Sequence, residues 1–257
     1  MKKLHQSSES NTKPEYIFGH SCQAVALLMR AASAYSPEPL ACRIHEGVVF
    51  SNRDKRTLLD KMILLVNSLD IVEPFYFVAD AYYASGRIVS GLLGKGNHLV
   101  TKVRSNAVAS GDPSRTRCEC AEEREEGLKK YGEKVRPRIP APMRKRPSRV
   151  LKAPSTQEKG VEIYYRTLDL LWRPVGIVVR FVIVRHPTRG SIFLMCTDLD
   201  LSPADIIWIY GLRFKIEVSF KQALGDKTKL DMTMVGFQFA HRRHRGRLRS
   251  TCVDADF

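Results

Sequence analysis

Asp80 closes the apolar run FYFVA (75–79), and far downstream Glu217 stands in DIIWIYGLRFKIEVSFKQAL (205–224), a segment with strong 3.6-residue periodicity. A carboxylate at the carboxyl end of a central strand points into the crevice where α/β sheets bind ligands. Two or three such carboxylates, brought together, hold a pair of divalent cations. Those ions activate a water or a 3′-hydroxyl and stabilise the leaving oxygen of a phosphoryl transfer. On the second segment Tyr210, Arg213, Glu217 and Lys221 lie at i, i+3, i+7 and i+11, one stripe of a helix. Ile206, Ile207, Ile209, Leu212, Phe214, Ile216 and Phe220 cover much of the remainder. A polar stripe on so apolar a helix must find partners or a cleft, because an unpaired buried charge is costly. Each feature also has a plainer reading. Asp80 could N-cap a helix over residues 81–93. Arg213, Glu217 and Lys221 could form a solvent face of i, i+4 pairs worth about 0.2–0.5 kcal/mol each.

The elements that would carry these residues follow from patterning. EYIFGHSCQAVALLMR reads as a strand, a break at glycine and a second apolar segment, and ACRIHEGVVFS (41–51) as a further strand. Leu58, Leu59, Met62, Ile63, Leu65 and Val66 recur at helical spacing, with Ser51 and Asn52 available to cap the helix start. FYFVA has the continuous apolar character of a buried central strand. Residues 81–93 predict a helix closed by Gly94 and Gly96, and NHLVTKVRSNAVA (97–109) a strand. This alternation argues for an α/β sheet. Residues 110–160 lose periodicity, and the proline-rich basic stretch VRPRIPAPMRKRPSRVLK predicts an exposed loop. Residues 161–199 give three β-branched stretches with Pro174 at the first join and HPTRG at the second, a three-stranded antiparallel meander. Past Gly225 the arginine-rich HRRHRGRLRS predicts an unstructured tail.

The 257 residues are 44% hydrophobic, enough for a sizeable core, and carry a net charge of +15, an excess that points to a polyanionic partner such as nucleic acid. No apolar run reaches the roughly 18 residues of a spanning helix, and no apolar stretch follows Lys2 and Lys3 to make a signal peptide. The expected location is cytoplasmic, with no membrane partner. The six cysteines stand at 22, 42, 118, 120, 196 and 252, and Cys118–x–Cys120 without a second pair is a poor zinc pattern. Trp172 and Trp208 read as core, and His20 and His45 as packed histidines.

FYFVADAYYASGRIVSGLLGKGNHLVTKVRSNAV, the meander and IYGLRFKIEVSFKQAL together resemble insertion-sequence transposases with a DDE active site, over roughly residues 1–224. Many members carry on one helix a Tyr, two residues, an Arg, three residues, a Glu, six residues and a Lys. Tyr210, Arg213 and Glu217 match in type and spacing. Leu224 stands where the lysine belongs, and Lys221 lies one turn earlier on the same stripe. The resemblance implies a ribonuclease-H-like α/β fold, a mixed sheet flanked by helices, with an antiparallel β insertion. It implies Asp80 and Glu217 as catalytic Mg²⁺ (or Mn²⁺) ligands, and Tyr210, Arg213 and Lys221 as contacts to DNA phosphate. The reaction would be nicking followed by strand transfer, the partners transposon ends and target DNA, and the assembly a homodimer.

On that reading residues 1–109 form the first part of the core without its first strand, 110–160 a disordered basic loop, 161–199 the insertion, 200–224 the catalytic helix and 225–257 a disordered basic tail. The family's first aspartate sits on the first core strand, upstream of a KKLHQ-like segment, and this chain begins MKKLHQ. Of Glu9, Glu15, Glu38, Glu46, Asp54, Asp60 and Asp70, none ends an apolar strand placed to be first; Glu46 comes nearest. The expectation is a chain truncated at its N-terminus and divergent at its C-terminus, inactive or nearly so, with sheet edges left unpaired. The alternative is a non-catalytic basic DNA-binding protein, such as a transposition inhibitor.

Overall fold

The computed structural model describes residues 2–5, 16–19, 21–31, 34–45, 56–104, 107, 109–110, 134–135, 149–152, 162–188, 190–216 and 237–242. In chain order the elements are β1 (Lys2–His5), β2 (Tyr16–Gly19), β3 (Ser21–Ala31), β4 (Ala34–His45), α1 (Leu58–Asn67) and β5 (Phe75–Ala79). A 3-10 turn (Ala81–Tyr83), α2 (Gly86–Leu93), β6 (His98–Lys102), β7 (Ala109–Ser110), β8 (Lys134–Val135) and β9 (Arg149–Lys152) follow. The chain continues with β10 (Glu162–Trp172), β11 (Ile177–His186), β12 (Gly190–Cys196), α3 (Pro203–Leu212) and β13 (Phe237–Arg242).

One mixed sheet runs in the order β4-β3-β13-β5-β6-β12-β11-β10-β7-β8, with β9 also paired to β10, while β1 and β2 pair apart from it. Within it β5 and β6 are parallel, as are β13 and β3. The meander β10–β12 pairs antiparallel and joins the same sheet through β12 and β6, so the insertion extends the core sheet. Both faces are covered. Phe75, Phe77 and Ala79 of β5 pack with Met62, Leu65 and Val66 of α1 and Ile88, Val89 and Leu92 of α2. Tyr76 and Val78 share the other cluster with Ile206, Ile209 and Leu212 of α3. All five residues of β5 are buried, which is why it reads as a continuous apolar run. This α/β sheet with helices on both faces is the arrangement expected of a ribonuclease-H-like core.

The elements differ from the sequence expectations in ways with local causes. β4 begins at Ala34, upstream of the expected start, and runs through Pro37 and Pro39. As the sheet's outer strand it tolerates residues without an N–H, and its pairing with β3 slips between Val25 and Ala26, opposite Pro39. The cap of α1 is Thr57, not Ser51 or Asn52. Thr57 Oγ1 accepts from the Asp60 amide and the Asp60 carboxylate accepts from the Thr57 amide at 2.9 Å, a reciprocal box. Arg87 of α2 then binds both Asp60 oxygens at 2.7 and 2.6 Å, tying the two helices. The helix expected over residues 81–93 is interrupted at Ala84 and Ser85, and Ser85 caps α2 as a new start. Gly86 explains the restart: a Cβ there would lie 2.9 Å from the Pro174 carbonyl oxygen, so only glycine lets α2 meet the β10–β11 turn.

Strands β8 and β9 fall within the stretch read as loop, and β13 within the stretch read as tail. β13 lies between β3 and β5, so β5 has ladder partners on both sides instead of an open edge. Its FQFAHR is short and runs into an arginine-rich stretch, and its pairings are with residues far away in the chain. No described helix is long and apolar enough to cross a membrane.

Gly86→Ala is expected to destabilise by about 1–3 kcal/mol, whereas Gly94→Ala, at a C-cap with φ −58° and its nearest contact at 3.4 Å, should stay within about 0.5 kcal/mol of the parent. Urea unfolding of both variants checks this. Hydrogen bonds from Thr57 and then Arg87 hold the Asp60 carboxyl below its ordinary 3.8. Its stabilisation is therefore complete above the ordinary carboxylate range and lost as pH falls through the depressed value. Circular dichroism under acid titration should show that loss, and Asp60→Asn should flatten the dependence below about pH 4.

Candidate site at the carboxyl edge of the central strands

Asp80 leaves β5 with extended φ −75° and ψ 168°, so strand alternation persists one residue past the ladder. Phe75, Phe77 and Ala79 face α1 and α2, and Tyr76 and Val78 face α3. Asp80 shares the parity of the second set and emerges, exposed, on the α3 side of the sheet. Its Oδ1 accepts from the Ala81 amide at 2.6 Å, so the carboxylate also caps the 3-10 turn. The capping reading of this residue is thus realised by one oxygen.

Two neighbours on β6 were not singled out from the sequence. The Thr101 hydroxyl, fully buried, lies 3.1 Å from the Ala79 carbonyl, 2.9 Å from that of Asp80 and 3.2 Å from that of Lys102, and donates its one proton among them. It clasps the carboxyl ends of β5 and β6. The register pairs Ala79 with Thr101, so the next residues, Asp80 and Lys102, stand side by side. Lys102 has the parity of Val100, which packs in the α3 cluster, and it is exposed. Only strand register reveals this adjacency; in the sequence Lys102 is one more cation of a basic chain.

Tyr210 and Arg213 are half-buried on α3 and its C-cap, with the guanidinium 5.8 Å from the tyrosine ring centre. Glu217 and Lys221 lie outside the described residues, as does Glu46. Among the described residues no group of three or more His, Cys, Asp or Glu is placed to hold a metal.

The opposite edge of the same strands anchors the start of α3. β12 runs antiparallel to β6, and beyond it the Thr197 amide donates to the Leu99 carbonyl at 3.1 Å while its hydroxyl accepts from the Leu99 amide at 2.9 Å. The Tyr76 hydroxyl donates to buried Asp198 at 2.5 Å, and the Asp200 amide donates to the other oxygen of that carboxylate at 2.9 Å. Arg180 grips Asp169 with two 2.9 Å bonds and donates to the Leu201 carbonyl at 3.0 Å. Ser202 then caps α3, with Pro203 in its first turn. Burial pushes the Cys196 thiol up to about 12, which removes it as a nucleophile.

Residues 27–250 match the family model described as the transposase DDE domain, a span that contains Asp80, Tyr210, Arg213, Glu217 and Lys221. No curated protein matches the chain. A mixed sheet covered on both faces, an acid where its central strand ends and a match over most of the length agree: this chain belongs to the transposase DDE domain family.

Proposed function

We propose that this chain is a DNA-processing domain of transposition in which Asp80 and Glu217 meet at the carboxyl edge of β5 and β6 to hold a divalent cation. The path of α3 carries the reading. The helix leaves the opposite edge, where Thr197 and Asp198 anchor it, and packs against β11, β12, β6 and β5. Its ten residues rise about 15 Å, close to the roughly 16 Å length of a five-residue strand such as β5. A helix that covers these strands from that start ends toward the edge where Asp80 emerges. Ile216, fully buried in the same cluster, keeps the segment after α3 on the sheet up to the residue before Glu217.

The residues suit a hard cation. Asp80 is exposed and engages the Ala81 amide through Oδ1, leaving Oδ2 turned to no described donor. Carboxylate oxygens are the ligands Mg²⁺ and Mn²⁺ take, and such an ion supplies Lewis-acid polarisation of a phosphoryl oxygen. Arg213 offers a planar fork that matches a phosphate in two bonds, and the Tyr210 ring beside it restricts its orientation. Lys221 and the net charge of +15 add attraction for the DNA backbone. On this reading DNA is the partner, and nicking followed by strand transfer is the chemistry of intact relatives.

A third acid is not supplied by the described residues. Asp198 is buried at the wrong edge and bonded to Tyr76; Asp60 and Asp169 are committed to Arg87 and Arg180. Three strand spacings separate β4 from β5, roughly 14 Å. His45, the residue before Glu46, lies about 10 Å further along from Cys42, which is level with Asp80 through Ala24 and Phe237. The described end of β4 is thus distant from a cation held at Asp80. Two acids fix one ion's position and leave the second without its bridge, so strand cleavage should be absent or very slow.

Mn²⁺ binding followed by electron paramagnetic resonance should weaken roughly tenfold or more in both Asp80→Asn and Glu217→Gln. Unaltered binding in either variant would show that the two acids share no ion. Supercoiled plasmid incubated with the chain and Mg²⁺ or Mn²⁺ should remain un-nicked. Nicking that disappears in Asp80→Ala would show that the acid set is complete.

A further inference from the structure

Tyr82, two residues past Asp80, exposes 42% of its surface although it is a large aromatic at the core's edge. It is not loose. Its ring packs edge-on against Tyr83 at 5.2 Å and 83°, and Tyr83, fully buried, packs edge-on against Phe77 at 6.4 Å. Gln23 donates to the Tyr83 hydroxyl at 3.0 Å and to the Leu58 carbonyl at 2.9 Å, so the ring beneath Tyr82 is tied to β3 and to the start of α1. An exposed ring seated on so fixed a base loses little freedom when something stacks on it. On the neighbouring strand, level with Asp80, Lys102 is exposed at the last position of β6, where the Thr101 clasp holds the register.

We propose that Tyr82 and Lys102 grip one unpaired nucleotide beside Asp80, the tyrosine ring stacking on its base and the ammonium neutralising its phosphate. The inference rests on the DNA reading above and adds to it the kind of strand bound: a single-stranded end or splayed nucleotide, since a base inside a duplex offers no open face to a ring. Base–aromatic stacking tolerates any sequence, so the pair positions a strand without reading it.

The test uses the full chain in EDTA, which separates strand binding from the metal site. A fluorescein-labelled duplex with a 3′ oligothymidine overhang is compared with the same duplex blunt-ended, over a range of salt concentrations. Tyr82→Ala should weaken overhang binding by roughly five- to a hundredfold and leave blunt-duplex binding as it was, while Tyr82→Phe binds like the parent. Tyr82→Leu preserves the apolar packing on Tyr83 but has no π-face, and it should bind as weakly as the alanine variant. Lys102→Gln should reduce the slope of log affinity against log salt by about 0.7–0.9, the loss of one phosphate contact. Unchanged overhang affinity in Tyr82→Ala and Tyr82→Leu, an equal loss on blunt duplex, or an unchanged slope in Lys102→Gln overturns the pair. A parent chain that binds neither probe overturns the DNA reading as well, so the two failures are distinguishable.

Discussion

The parallel pairing of β5 with β6, sealed at its carboxyl edge by the Thr101 hydroxyl, is the constraint on which the rest depends. Every residue of β5 is buried, so its two faces are fixed by alternation, with α1 and α2 on one side and α3 on the other. A slip of one residue would exchange the faces and send Asp80 to the wrong side. The clasp makes such a slip costly, because it engages the carbonyls of both strands just where the ladder ends. What emerges from the strand tips, Asp80 and Lys102 side by side, follows from that register.

Much of this was legible in the chain, for physical reasons that can be named. FYFVA announced a strand buried on both faces, and the meander announced itself through β-branched runs broken by Pro174 and HPTRG. The start of α3 followed from periodicity near Pro203. Other features were hidden because they are made by distant partners. The break at Ala84–Ser85 reflects the approach of Pro174 to Gly86, which no local pattern records. Thr101 looks like an ordinary β-branched strand residue until its hydroxyl is seen on the Asp80 carbonyl. β13 was obscured by the arginines that follow it. Of the candidate site, the strand-terminal acid and the Tyr210–Arg213 pair are visible in the chain as types and spacings; that Lys102 stands beside Asp80 required register.

The two edges of the sheet divide the polar groups between different physical roles. At the edge that starts α3, Asp198 is buried and accepts bonds from the Tyr76 hydroxyl and the Asp200 amide, so its charge is stabilised locally and serves architecture. At the opposite edge Asp80 stays in contact with solvent and keeps one oxygen clear of described donors. A carboxylate in the second setting can exchange water for an ion or a phosphate-bound cation, whereas one in the first would have to break its own hydrogen bonds to do so.

The position of β13 has a bearing on how the molecule comes into being. β5 is made early and its neighbour on the β3 side arrives only with Phe237–Arg242, after nearly all the intervening chain has been synthesised. Until then the middle of the sheet presents an unsatisfied row of amides and carbonyls to solvent or to other nascent chains. Closing it requires a contact of very long sequence separation, the slowest kind to form. The same hydrogen-bonding strip that gives the finished sheet its continuity is therefore, during synthesis, the surface most exposed to mispairing, and a ribosome that stalls short of Phe237 would release a chain with that surface open.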